Sequence, residues 1–273
     1  MTSVSYFRAW YHCSIADSET LSDMLFAKGV WSVTAHADSD TNTRLEVISD
    51  LDIDHSDAHS VETVIDQNWL TAATCTQSES LLIGQFEIIP VGQRPQHPDK
   101  KPLYINPDGV FGDGHHPSTV LCGQYLQDID MPTPGEILDL GTGSGILAFI
   151  AKHRFPTATV TGSDIDPAAV IRATDNGTDN QLACAFYEAD ILSENPKTKA
   201  DLIIANLPTD LQLEIAPRVS AWLTAGGRVL VSGVWETWRS AVIAAYTQAG
   251  FSLFQHTTQD GWCGFVFVLT ARA

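Results

Sequence analysis

Ile137-Leu138-Asp139-Leu140-Gly141-Thr142-Gly143-Ser144-Gly145-Ile146-Leu147 is the stretch on which the fold of this chain turns. A short apolar run meets three glycines at alternate positions, and a helix is predicted over 145–154. Glycines at such a turn let the backbone adopt conformations closed to other residues and let a ligand come close. The helix that follows offers free N–H groups at its start. A dinucleotide-binding turn has the spacing Gly-x-Gly-x-x-Gly. Its third glycine would fall at 146, where this chain has Ile146, so Gly-x-Gly-x-Gly marks a different kind of site.

Downstream, apolar runs at 159–163, 183–187, 201–205 and 228–232 alternate with helical patterns at 167–176, 211–223 and 236–249. Continuous apolar strands flanked by helices are what a buried parallel sheet requires. The expected class is therefore α/β with a doubly wound sheet. Two runs joined by a short polar turn, 251–256 and 263–269, predict an antiparallel C-terminal hairpin at its edge. In such sheets ligands bind outside the carboxyl ends of the strands. The second strand ends at Asp164, 23 residues after Gly141, where a carboxylate is able to accept both hydroxyl protons of a ribose. Asp166, before Pro167, reads as a helix cap. The fourth strand ends in Asn206-Leu207-Pro208-Thr209, which reads as a ligand-facing residue or as an ordinary Asx turn.

Upstream lies Phe111-Gly112-Asp113-Gly114-His115-His116-Pro117-Ser118-Thr119, leading into a short helix over 118–127. Pro117 suits a first helical turn, and the Thr119 hydroxyl then points toward the sheet edge. Adjacent histidines raise the question of a metal. No cysteine or carboxylate stands at matching spacing, so none is expected.

Residues 1–91 read as a separate α/β layer. Strands are predicted at 4–12, 30–36 and 44–49, with one or two more over 80–90. One helix starts at Asp17 or Ser18, carries Leu21, Met24 and Leu25, and stops at Gly29; another carries Val61, Val64, Ile65 and Trp69. That order suggests a ferredoxin-like layer. Pro95, Pro98, Pro102 and Pro107 make 92–110 a linker without regular structure, which leaves 111–273 as the second domain.

The 273 residues include 44% hydrophobic residues, enough for a packed core. No run is long enough to cross a membrane and no secretory leader is visible, so a cytoplasmic protein is expected, with no membrane partner. Five cysteines without a Cys-x-x-Cys pair argue for free thiols rather than disulfides or zinc. The net charge of −18 argues against binding nucleic acid directly and suits a basic protein partner or an acidic proteome. Between Asp38 and Asp66 nine acidic residues face one basic residue, Arg44, so this stretch is either a solvated surface or an electrostatic dock.

The glycine turn resembles the first motif of class I S-adenosylmethionine-dependent methyltransferases. Together, the segment 111–119 and the run from Asp139 to Leu147 resemble the ribosomal protein L11 methyltransferase (PrmA) family. Ala205-Asn206, residues 214–217, Gly226-Gly227, Ser232-Gly233, Ala245-Tyr246, Trp262-Cys263 and Trp69 add to the likeness. The resemblance implies S-adenosylmethionine as cofactor, with its methionine part held by the loop of Gly141 and Gly143. Asp164 would take the ribose, Asp190 the adenine, and Thr119 and Asn206 would complete the contacts. Asn206 would also be catalytic, its amide oxygen accepting an N–H of the attacking amine. The acceptors implied are lysine and α-amino groups of a large-subunit ribosomal protein, a basic partner presented by residues 1–91 to a monomeric enzyme.

Departures from the family pattern are Asp113 and His115 in place of threonines, Asn206-Leu207-Pro208 in place of Asn-Ile-Leu, and Ala73 in place of a second tryptophan. They keep open another protein, a small amine or an amide as acceptor, or a cofactor-binding module without activity. The donor methyl is already activated, so the protein mainly positions the reactants. An acceptor lysine must first lose its proton, which costs about 4–5 kcal/mol at pH 7. Like charge and desolvation at the site lower that cost, so no dedicated base is required, and His116 reads as a cap rather than as a base.

Overall fold

The computed structural model describes residues 4–15, 17–27, 32–37, 42–49, 54–66, 81–106 and 110–270. The chain divides into two units, Met1–Ser78 and Glu79–Ala273.

The first unit contains β1 (Val4–Ser14), α1 (Ser18–Ala27), β2 (Ser32–Ala37), β3 (Asn42–Ser49) and β4 (Ser60–Asp66). Its strands form one antiparallel sheet in the order β2-β3-β1-β4. Inward-facing Ala9, Tyr11, Leu45 and Val47 are buried with Leu25 of α1. The segment expected to be a second helix is β4, which pairs with β1 from Val4↔Asp66 to Trp10↔Ser60. Val61, Val64 and Ile65 do fall on a helical face. With Thr63, however, four of five consecutive residues are β-branched, and such side chains lose rotamer freedom in a helix and fit a pleated surface. Gly29, Asp38, Asp40, Asp50, Asp52, Trp69 and Ala73 lie outside the described residues.

The second unit opens with a small sheet, β5 (Leu81–Ile83), β6 (Phe86–Ile89) and β7 (Lys101–Tyr104). Thus the proline-rich run expected to lack regular structure contains a strand, parallel to β6, in the register Phe86↔Lys101 to Ile89↔Tyr104. Pro102 is tolerated because β7 is an edge strand. The other edge of β7 and the residues after it are satisfied by a helix. The N–H and C=O of Tyr104 bond Asn180, at 2.8 and 2.6 Å, and those of Asn106 bond Asn176, at 3.0 and 3.1 Å. Ile83, Phe86, Ile88, Leu103 and Ile105 are buried in the core of this unit.

There follow α2 (Pro117–Asp128), β8 (Glu136–Leu140), α3 (Ile146–Arg154), β9 (Thr159–Asp164), α4 (Pro167–Asp179), β10 (Cys184–Glu188), β11 (Ala200–Asn206), α5 (Thr209–Trp222), β12 (Leu223–Trp235), a 3-10 turn (Glu236–Trp238), α6 (Arg239–Gln248), β13 (Phe251–Gln259) and β14 (Trp262–Leu269). The seven strands are ordered β10-β9-β8-β11-β12-β14-β13. The first five run parallel, and β14 is antiparallel to both β12 and β13. This is the doubly wound sheet with a terminal hairpin that the sequence predicts. The hairpin closes at Asp260-Gly261, with φ of 52° and 80°. Two successive positive φ values make the turn type whose twist matches the strands, and Asp-Gly is its usual sequence. One core lies beneath α2 and α3, the other beneath α5 and α6, where Ile215, Val219, Trp222, Val242 and Tyr246 are buried.

Candidate active site

The sheet register lines up one level of residues: Leu140 pairs with Ser163 and Ala205, Ser163 with Tyr187, and Ala205 with Val231. The next level therefore holds Gly141, Asp164, Glu188, Asn206 and Ser232, where the strands end. Strand order reverses on either side of β8, so the crevice lies at Gly141 and Asn206.

The turn has φ of 64° at Gly141, 54° at Gly143 and 85° at Gly145, a region that suits glycine alone. A Cβ on Gly141 would strike the Leu207 side chain, and one on Gly143 the Phe111 carbonyl oxygen. The turn is tied on three sides. The Gly143 N–H donates to Asp164 Oδ2 at 2.9 Å, the Thr142 N–H to the Ser163 carbonyl at 3.0 Å, and the Ser144 N–H to the Phe111 carbonyl at 2.9 Å. The buried Ser144 hydroxyl also donates to the Gly112 carbonyl, so segment 111–116 is fastened to the turn. Asn176 of α4 adds a bond from its amide to the Ser144 carbonyl at 2.9 Å.

Asp164 accepts from Gly143 and, through Oδ1, from the Asp166 N–H at 3.1 Å. Among the described residues these are its two hydrogen bonds, out of roughly four acceptor positions. Asp166 caps α4 as expected, accepting from the Ala168 N–H at 2.8 Å. Asp190 folds onto its own loop, accepting from the Leu192 N–H and the Ser193 hydroxyl, both at 2.9 Å. These bonds hold its carboxyl below the ordinary range.

Asn206 and Thr119 come together. The Asn206 side-chain N–H donates to the buried Thr119 hydroxyl at 3.3 Å, and the buried Asn206 Oδ1 has no hydrogen-bond partner among the described residues. A buried amide oxygen without a donor is costly, and an N–H or O–H donor is what such an atom needs. The strand ends behind it are locked by a residue that periodicity does not reveal. Fully buried Gln212 of α5 donates to the Ala205 and Ser232 carbonyls at 2.6 and 2.9 Å, and accepts from the Tyr246 hydroxyl at 2.8 Å.

His116 is the N-cap of α2, its Nδ1 accepting from the Ser118 N–H at 3.3 Å; burial pushes its pKa down against the opposing pull of Asp113. His115 instead faces Asp113, at 3.2 Å, so the adjacent histidines serve different partners. Phe111, His116, Trp262 and Trp235 form a row of ring contacts with centroids 4.5–5.4 Å apart. Besides Gln212, two site features escape the sequence reading: this aromatic row and the buried state of Asp139. Asp139 is buried in β8 and accepts from the Thr142 hydroxyl at 2.7 Å; burial is the main cause that raises its carboxyl to about 7. A lone carboxylate inside an apolar strand was the available signal.

The family model for ribosomal protein L11 methyltransferase (PrmA) matches residues 10–270. The chain is 36% identical over 214 residues to the ribosomal protein L11 methyltransferase of Cupriavidus necator, a match covering 78% of this chain and 69% of that one. It is 32% identical over 240 residues to the protein of the same description from Methylobacillus flagellatus, covering 86% and 79%. The crystal structure of a ribosomal protein L11 methylase from Lactobacillus delbrueckii subsp. bulgaricus aligns with a TM-score of 0.64 at 23% identity, over 70% of this chain and 99% of that one, which is a likeness of fold.

Proposed function

Because the chain belongs to the ribosomal protein L11 methyltransferase (PrmA) family, we propose that it methylates amino groups of ribosomal protein L11, lysine side chains and the α-amine, with S-adenosylmethionine as donor. The donor supplies a methyl carried on a sulfonium. The residues of the second unit suit such a group: glycines where no Cβ fits, a carboxylate at Asp164 with acceptor positions to spare for a ribose, and a buried amide oxygen lacking a donor.

In this reading Gly141 and Gly143 admit the methionine part, Asp164 holds the ribose, and Asp190 lies at the adenine end. Thr119 fixes the Asn206 amide. Asn206 Oδ1 accepts an N–H of the acceptor amine and so aims its lone pair at the methyl group. Most of the rate enhancement then comes from orientation. The observation that carries the proposal is the unpartnered Asn206 Oδ1 one level beyond Leu140 and Ser163.

The same proposal has residues 1–91 presenting a basic protein substrate, and a monomer acting in the cytoplasm on protein rather than nucleic acid. Net charge supports the choice of partner, and Asp54 and Asp57 are exposed in the first unit. No helix among the described residues is long and apolar enough to cross a membrane. The test is incubation with labelled donor and whole ribosomal protein, then mass mapping. Label on amines of ribosomal protein L11 is the expected result; label confined to another protein or to small amines overturns the substrate assignment.

A further inference from the structure

We propose that Asp139 is a proton-linked positioning residue: its buried carboxyl gives up the proton it holds to solvent when a cationic donor binds at the glycine turn, and takes it back when the uncharged thioether product remains. The proposal rests on the reading that S-adenosylmethionine binds there, and it deepens that reading.

Asp139 is the penultimate residue of β8, 1% exposed, between Leu138 and Leu140 of the core. A carboxylate has about four acceptor positions, and a neutral hydroxyl, that of Thr142, holds one of them at 2.7 Å. Among the described residues, the titratable groups facing it bring no compensating charge. Asp164 comes from β9, Cys122 from α2 and Cys184 from β10. From α3 it meets the Ala148 N–H, and β11 sets apolar Ile204 opposite it in register. Burial and Asp164 both favour the protonated form; Thr142 and Ala148 oppose them only in part, leaving the carboxyl near 7.

Thr142 sits between Gly141 and Gly143, so its bond to Asp139 bears directly on the turn that admits the ligand. A nearby positive charge favours the ionised carboxylate, and ionisation turns the Thr142 bond into a stronger, charge-assisted one. The donor carries one positive charge more than the product, namely its sulfonium. Protonation of Asp139 therefore discriminates between the two, and donor binding is tightened by raising the pH while product binding is much less so.

Calorimetry in two buffers of different ionisation heat counts the protons released. Near pH 6.5 the wild type is expected to release a substantial fraction of a proton with S-adenosylmethionine and much less with S-adenosylhomocysteine. Donor affinity should rise about tenfold from pH 6 to pH 8, as a group titrating near 7 dictates. Asp139→Asn should abolish the extra release and flatten that rise, keeping only what the ligand's own ammonium contributes. Equal proton release by both ligands in the wild type overturns the proposal, and that comparison stands even if the variant fails to fold. Equal release by wild type and folded variant also overturns it. Failure of the wild type to bind the donor at any pH instead sinks the methyltransferase reading on which the proposal rests.

Discussion

At the scale of single residues, the proposed roles divide between holding the ligand, for Asp164, and aiming the reaction, for Asn206. If the amide oxygen serves the acceptor, Asn206→Ala should cut turnover far more than it weakens binding of S-adenosylhomocysteine. Equal losses would make it a cofactor residue only, and full activity would reduce it to a turn residue. Asp164→Ala should weaken donor binding by one or two charge-assisted hydrogen bonds, each about 1.5–3 kcal/mol, read by calorimetry. It should also cost stability, because the Gly143 N–H loses its acceptor. Asp139 makes an opposite prediction for stability. Its carboxyl titrates at about 7 in the fold against an ordinary 3.8, so the folded protein holds the proton more tightly than the unfolded chain. That contribution is complete below about pH 4 and is lost as pH rises toward 7, a loss of about 4 kcal/mol. Asp139→Asn should then raise the melting temperature of the ligand-free protein at pH 8 and leave it nearly unchanged near pH 4.

At the scale of elements, the parallel sheet was legible because buried strands announce themselves as apolar runs between helices. The glycine turn was legible because its spacing admits few structures. Two elements were not. In β4, β-branched residues happened to fall at helical intervals, and pairing with β1 decided the matter. In β7, prolines masked a strand whose last residue, Tyr104, is satisfied from a distance by Asn180, as Asn106 just beyond it is by Asn176. Polar residues that tether backbone across tens of residues leave no periodic trace, and Gln212 escaped for the same reason. Asn176→Ala removes bonds to the Asn106 N–H, the Asn106 carbonyl and the Ser144 carbonyl. Denaturant unfolding should show a loss of about 2–4 kcal/mol, and donor binding should weaken with it because Ser144 belongs to the turn.

At the scale of the whole molecule, the division at Ser78 and Glu79 tells where the chain is separable. A truncated protein starting at Glu79 should fold and bind S-adenosylmethionine. One starting at Pro102 should not, since it lacks Ile83, Phe86 and Ile88 of the core. The first should lose transfer to the protein substrate if the N-terminal unit presents that substrate, and salt should weaken the full chain's substrate affinity if the acidic stretch takes part. Undiminished methylation of the protein by the Glu79 form would sink the docking role. One feature of the large sheet bears on how the enzyme comes into being. Its strand β14 follows β12 and β13 in the sequence, yet is not at an edge but is inserted between them. Until residue 269 has left the ribosome, β12 has an empty flank and Trp262 is missing from the row beside His116. A nascent chain can therefore lay down the glycine turn early but completes the sheet beside it only once β14 has emerged, more than a hundred residues after Gly141.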